Sequence, residues 1–240
     1  MARCALANGR CGRLDGHCPS ERCTARIVRR LSERRWRDKL GLFVCEGEDL
    51  VAAATADPVE LLVAGDNVEA KLLAEVSSAG HPPRVVGVFR REDLPAPAAR
   101  PAVLELWRIA DPGNLGTLIR SADAFGAAVR LSEGCADPTG PKAARASAGS
   151  IWRVPLLTGR PGEPSLGDRP RIALVAGGGT PLAGLDLPAE VVFLLGAERE
   201  GLPARVERDV EAWIEVSGVE SLNVAAAGAI ALYEWHRQNH

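Results

Sequence analysis

The chain has 240 residues, 46% of them apolar and 25% charged, and a formal net charge of −2. These values suit a globular protein of one large domain or two small ones, and they exclude nucleic-acid binding by bulk positive charge. No apolar run reaches membrane-spanning length and the first residues lack the apolar core of a secretory signal, which predicts a cytoplasmic protein with no membrane partner.

Charge is unevenly spread. Between Arg22 and Lys39 stand eight basic residues (Arg22, Arg26, Arg29, Arg30, Arg34, Arg35, Arg37 and Lys39) against Glu33 and Asp38. Such asymmetry in an otherwise acidic chain points to a phosphate-rich partner; a solvated helix face is the plainer alternative. The first four cysteines, Cys4, Cys11, Cys18 and Cys23, lack the paired short spacing of common zinc sites, so no metal is assigned. Residues 1–21, rich in Gly, Pro and Cys without a period, predict a disordered leader.

Residues 24–40 predict one helix, with Ile27, Val28, Leu31 and Trp36 on its sparse apolar side. A strand over 42–45, a helix from Glu48, a strand over 61–64, an amphipathic helix over 68–79 and a strand over 84–89 complete a small α/β unit, 22–93. The prolines and alanines of 94–101 predict a semi-rigid linker. From residue 102 a second alternating pattern begins. Its strands are predicted over 103–109, 128–131, 152–156, 172–176, 191–195 and 212–216, with helices over 114–126, over 142–150 and from 221 to the C-terminus. Val191 to Leu195 is apolar throughout, as a strand buried on both faces is.

After the first of these strands, Asp111-Pro112-Gly113-Asn114 makes a turn. Leu115, Leu118, Ile119, Ala122 and Phe125 then recur at helical spacing until Gly126 closes the helix in the left-handed conformation. Arg120 stands among these apolar residues, where an Arg needs an anionic or polar partner. Parallel α/β sheets bind ligands at the carboxyl ends of their strands. Three such ends here carry polar residues and Gly: Asn114 and Gly116; Gly196, Glu198 and Gly201; Ser221 and Asn223. Gly lets a ligand approach the backbone. Each Gly is equally read as a turn, and each Asn or Ser as a helix cap. Leu115 and Leu118 break a Gly-x-Gly-x-x-Gly run from Gly113, although Glu133 at the next strand end keeps a Rossmann-type nucleotide-binding enzyme open as an alternative. The histidines are scattered, which argues against a His-based triad.

Taken in order, Asn114-x-Gly116-x-x-x-Arg120 with Ala124-Phe125-Gly126, then Leu195-Gly196-x-Glu198-x-x-Gly201-Leu202, then Glu220-Ser221-Leu222-Asn223-Val224, resemble the SpoU (TrmH-type) branch of the SPOUT RNA methyltransferases. Asp137-Pro138, Pro141-Lys142 and Arg145-Ala146-Ser147-Ala148-Gly149 are similar to the same family. Arg34-Arg35 through Phe43-Val44-x-Glu46-Gly47 resembles the ribosomal-protein-L30e-like substrate-binding domain that many members carry.

The resemblance implies an α/β fold: a C-terminal trefoil-knot (SPOUT) domain over 102–240 behind a small L30e-like domain over 22–93. It implies a homodimer that uses S-adenosylmethionine to methylate a ribose 2′-hydroxyl in rRNA or tRNA. By motif, Gly196, Ile214 and Leu222 would contact the cofactor largely through backbone. Asn114, Arg120, Glu198, Ser221 and Asn223 would shape the catalytic site, while Lys142 and Arg145, with Arg29, Arg30, Arg34 and Arg35 upstream, would meet RNA. The family assigns removal of the hydroxyl proton to the Arg120 position. A guanidinium with a pKa above about 12 is a poor base, so the other role is to stabilise the developing alkoxide or hold a phosphate. Two departures stand out: Ile214-Glu215-Val216 replaces the usual Ile-Pro-Met, and the usual Ser-x-Asn near the N-terminus is absent. A non-catalytic RNA-binding relative with the same fold is the rival reading.

Overall fold

A computed structural model of the chain describes residues 21–77, 81–159 and 165–240, so residues 1–20 of the predicted leader, with Cys4, Cys11 and Cys18, lie outside the described residues, while Glu21 is helical. The first part of the chain folds as a three-stranded antiparallel sheet of β1 (Leu42–Glu46), β2 (Glu60–Val63) and β3 (Val85–Arg90), in the order β1-β3-β2. Helices α1 (Glu21–Leu31), α2 (Arg34–Leu40), α3 (Glu48–Ala52) and α4 (Ala70–Val76) accompany it.

The single helix expected over 24–40 is broken at Ser32 and Glu33. The Ser32 hydroxyl donates to the Arg29 carbonyl, 2.8 Å away. The Arg37 guanidinium donates to the carbonyls of Leu31 and Ser32 at 2.8 and 2.9 Å, satisfying the end of α1. Arg37 is buried, and its Nε and Nη2 donate to Asp137 Oδ2 at 2.9 and 2.8 Å. It therefore leaves the phosphate-facing set and ties α2 to the second half of the chain.

That half is built on seven strands, all paired in parallel, in the order β6-β5-β4-β9-β7-β10-β8. They are β4 (Ala102–Leu106), β5 (Ala128–Leu131), β6 (Leu156–Leu157), β7 (Arg171–Leu174), β8 (Thr180–Pro181), β9 (Val191–Leu195) and β10 (Val210–Trp213). The apolar run of β9 takes the central place and all five of its residues are buried, as its composition predicts. Ala102, Leu104, Leu106, Phe193 and Leu195 face the core shared with α5 (Pro112–Ala124) and α7 (Val224–Asn239). Val103, Val192 and Leu194 face the opposite side, beneath Leu166, Leu202 and Val206. Helix α6 (Pro141–Ala146) packs on α5.

The two sheets share a hydrophobic cluster. Phe43, Cys45, Leu50 and Phe89 pack with Ala144, Ile151 and Trp152. The Trp152 ring lies 5.4 Å from that of Phe43 and 4.8 Å from that of Phe89, edge-on to the latter. Here the sequence expectation of a strand over 152–156 is overturned. Ser150–Trp152 is a single 3-10 turn that drives Trp152 into the shared core, and only Leu156 and Leu157 extend as strand. Polar ties follow the same seam. Arg91 pairs with Asp137 at 2.9 Å and with Asp38 at 2.5 Å, and Arg145 pairs with Glu46 at 2.5 Å. No helix among the described residues is long and apolar enough to cross a membrane.

Candidate active site

Strands β4, β9, β7 and β10 run parallel, so their carboxyl ends open along one edge. The loop after β9 folds back on itself: the Gly201 N–H donates to the Ala197 carbonyl at 2.9 Å, with Gly201 left-handed at φ 64°. A Cβ at Gly196 would collide with the backbone of Gly201 and Leu202, so this glycine is required by the loop itself.

Asp111, not Asn114, caps α5. Its Oδ1 accepts from the Asn114 N–H at 2.9 Å, which releases the Asn114 side chain. Asn223 caps α7, its Oδ1 accepting from the N–H groups of Ala225 and Ala226 at 2.9 and 3.3 Å. Its remaining Nδ2 donates to Asn114 Oδ1 at 3.0 Å, and Asn114 Nδ2 donates to Glu198 Oε1. Three segments from distant parts of the chain thus meet in one hydrogen-bonded line: α7 N-terminus, Asn223, Asn114, Glu198.

Beside this line lies a cavity of about 630 Å³ lined by Gly196, Glu198, Ile214, Ser221, Leu222 and Asn223 among others. That volume falls within the range of small-molecule sites, about 300–1,000 Å³. Six of the sequence-derived site residues converge here, and Asn114 joins them through hydrogen bonds. The sequence reading missed Val175 and Ala176, which follow β7 and line the same cavity, and Arg208, which pairs with Glu211 at 3.3 Å. Val175 and Ala176 stand at a strand end, so the strand-end rule covers them; their apolar side chains carry no other signal.

Arg120 does not converge with the rest. Six positions along α5 from Asn114 amount to a rotation of roughly 240° and a rise of about 9 Å. Leu118 and Ile119 face the core and Arg120 faces solvent. Among the described residues it makes no ion pair or side-chain hydrogen bond, so the anionic partner expected for it is not supplied within the chain. Gly116 also differs from expectation. It is buried against α6, where a Cβ would strike the Ala143 carbonyl and the Ala146 side chain, so it serves helix packing rather than ligand approach.

The basic residues are placed variously. Lys142 pairs with Asp111 at 2.9 Å; this bond, with the Asn114 N–H, holds the Asp111 carboxyl below its ordinary value. Arg145 faces Glu46, as noted. Arg34 lies 3.7 Å from Asp38 and Arg35 2.6 Å from Glu33, all exposed. Arg29 and Arg30, on α1, have no acidic partner among the described residues.

The SpoU rRNA methylase family model matches residues 101–233, more than half of the chain. The chain belongs to the SpoU rRNA methylase family. It is 34% identical over 183 residues to an uncharacterised tRNA/rRNA methyltransferase of Synechocystis, a match covering 71% of this chain and 66% of that protein. It is 32% identical over 232 residues to a 23S rRNA guanosine 2′-O-methyltransferase of Bacillus subtilis, covering 85% of this chain and 92% of the relative. The fold of this SpoU-family chain is similar to that of an AdoMet-bound rRNA methyltransferase from Sinorhizobium meliloti, with TM-score 0.75 and 27% identity over 89% of this chain and 94% of that one.

Proposed function

We propose that this SpoU-family chain is an S-adenosylmethionine-dependent methyltransferase that modifies a ribose 2′-hydroxyl in rRNA or tRNA. The observation that carries the reading is the Asn223–Asn114–Glu198 line set against a ligand-sized cavity at the carboxyl ends of parallel strands. The likeness to a 23S rRNA guanosine 2′-O-methyltransferase of Bacillus and to an AdoMet-bound rRNA methyltransferase of Sinorhizobium supports it.

The residues present fit the cofactor. Leu195, Ile214 and Leu222 offer apolar walls to a flat base, and Glu198 and Glu200 line the same cavity with acids suited to a cationic ligand. When bound, S-adenosylmethionine supplies an electrophilic methyl group. Gly196, Ile214 and Leu222 hold it, while Asn114, Glu198, Ser221 and Asn223 fix the geometry of the acceptor. Alignment of this kind supplies much of the rate of an in-line transfer. Arg120 stabilises negative charge developing on the ribose oxygen, a role that suits a permanently charged bidentate donor.

The protein works as a cytoplasmic homodimer. Exposed Ile230 and Tyr233 on α7, with Phe125 against Tyr233, offer an apolar strip for a second copy. Since Arg120 stays outside the cavity of its own chain, the dimer brings it to the partner's site. Residues 102–240 carry the trefoil knot, α7 passing close over α5 at Gly228. Residues 22–93 dock RNA through Arg29, Arg30, Arg34 and Arg35, with Lys142 and Arg145 nearer the methyl-transfer site.

Transfer of labelled methyl from S-adenosylmethionine to total tRNA and, separately, to ribosomal RNA tests the reading, with digestion to place the label on ribose or base. Label on ribose of one RNA class is the expected result. Label on a base, or no cofactor binding, overturns it.

A further inference from the structure

The break between α1 and α2 presents a second concavity, which shares no residue with the cavity of the candidate active site. Trp36 is half-buried, with three cations over its ring: Arg30 Cζ is 4.6 Å from the ring centroid, Lys39 Nζ 5.3 Å and Arg35 Cζ 5.8 Å. Beside the ring a concavity of about 450 Å³ is lined by Arg26, Arg29, Arg30, Ser32 and Arg35. Its single acid, Glu33, is engaged by Arg35 at 2.6 Å. Arg26, Arg29 and Arg30 have no acidic partner among the described residues, so the concavity carries uncompensated positive charge around an aromatic ring.

The neighbouring residue holds this surface in place. Trp36 points outward while Arg37, one position on, is buried on Asp137, in the loop that leads into α6. The ring is thereby fixed relative to the half of the chain that carries the cavity.

We propose that Trp36 is a stacking platform for an unpaired base of the RNA substrate, with Arg26, Arg29 and Arg30 holding the flanking phosphates. This rests on the reading of the chain as an RNA methyltransferase. Duplex RNA is met through shape, 2′-hydroxyls and phosphates and gives a ring nothing to stack on. Single strands are held by a cationic groove with an aromatic face inside it, which is the arrangement found here. The Arg30 guanidinium over the indole adds a second flat surface against which a base can lie.

The test measures binding of a fluorescein-labelled 12-nucleotide oligouridine and of a 12-base-pair RNA duplex by anisotropy, across a salt series. Trp36→Ala weakens single-strand binding about tenfold, within the range measured for one stacked base, and leaves duplex binding within about twofold. Trp36→Phe recovers most of the loss, whereas Arg26→Gln and Arg29→Gln each reduce the salt slope by about 0.7. S-adenosylmethionine binding and the melting temperature of each variant establish that the fold is intact. Equal loss on strand and duplex, no loss on either, or displacement of the oligouridine by polyglutamate of equal charge as readily as by unlabelled RNA would each overturn the proposal. The two readings fail separately. A Trp36 effect without methyl transfer to any RNA removes the enzymatic reading and keeps the platform. Methyl transfer with a Trp36→Ala protein that binds like wild type removes the platform alone.

Discussion

Asn223 sets the orientation of the Asn114 side chain across 109 positions of sequence. The backbone N–H groups at the start of α7 can only donate, so the Asn223 carbonyl oxygen must face them and its NH₂ must face Asn114. Asn114 is then obliged to present its oxygen to Asn223 and its NH₂ to Glu198. The helix terminus thereby assigns both amides and leaves Glu198 as the acceptor at the end of the line.

Asn223→Asp separates capping from this polarity. Asp caps a helix as well as Asn does, so the variant loses less than about 1 kcal/mol of stability. It cannot donate to Asn114, which turns over and sets its oxygen against the Glu198 carboxylate. Methyl transfer falls at least tenfold, an expected barrier increase of about 1.4 kcal/mol. Adding Glu198→Gln restores a consistent line of donors and acceptors and recovers about 1 kcal/mol of coupling in thermal unfolding. A single variant with wild-type turnover would show that the line is no part of the site.

Arg120 yields a test of assembly. In the proposed homodimer, Arg120→Ala and Asn223→Ala are each expected to be inactive when made alone. Co-expressed, half of the dimers are mixed and each mixed dimer holds one intact site, so roughly a quarter of wild-type activity returns if the interface is two-fold symmetric. No recovery in the mixed preparation would mean that Arg120 does not complete the cavity of a second copy.

Asp137 makes stability sensitive to acid. Burial alone would raise its carboxyl, but the Thr139 hydrogen bonds and the charges of Arg91 and Arg37 outweigh burial and hold it below the ordinary value. The folded state thus releases the proton more readily than the unfolded state, whose carboxyl titrates near about 3.9. The stabilisation is fully present above that value and is lost as pH falls through the lower folded value. Asp137→Asn leaves the buried Arg37 unpaired and costs about 3–5 kcal/mol at neutral pH. Urea midpoints of the two proteins begin to converge below about pH 4; a constant gap down to acid would contradict this account.

Two helix glycines give contrasting expectations. A Cβ at Gly116 meets the fixed Ala143 carbonyl, whereas one at Gly228 meets the flexible end of Leu118. Gly116→Ala costs about 1–3 kcal/mol as α5 and α6 are forced apart, and Gly228→Ala costs less. Equal melting temperatures would mean that α6 yields freely.

What could be read from sequence follows the range of the forces involved. The apolar run of β9, the periodicity of α5 and the capping Asn223 are local signals; β9 stands where its pattern put it, and α5 and α7 start within three residues of theirs. The cavity residues Gly196, Glu198, Ser221, Leu222 and Asn223 were legible because strand ends and their motifs announce them. Arg37 and Trp152 were misread because their partners are remote. Asp137, with the Leu31 and Ser32 carbonyls, makes a buried Arg37 tolerable, and Phe43 and Phe89 draw Trp152 out of a strand. Strand β10 begins two residues before its predicted start, which leaves Ile214 in the loop against the cavity. The solvent-facing position of Arg120 was equally hidden, since its apolar neighbours suggested a buried place.

The aromatic cluster joining the two sheets also limits how such a chain can be recombined. A segment spanning residues 21–93 taken from a relative would arrive with its own surface for Trp152, Ile151 and Ala144, and with its own counterpart to the Arg37 and Asp137 pair. Mismatch at that seam would expose aromatic surface on both pieces. Inheritance of the front segment is therefore coupled to inheritance of the 137–152 region behind it. New substrate preferences are more readily reached by changing the outward residues of α1 and of α2 other than Asp38, which Arg91 ties to the seam.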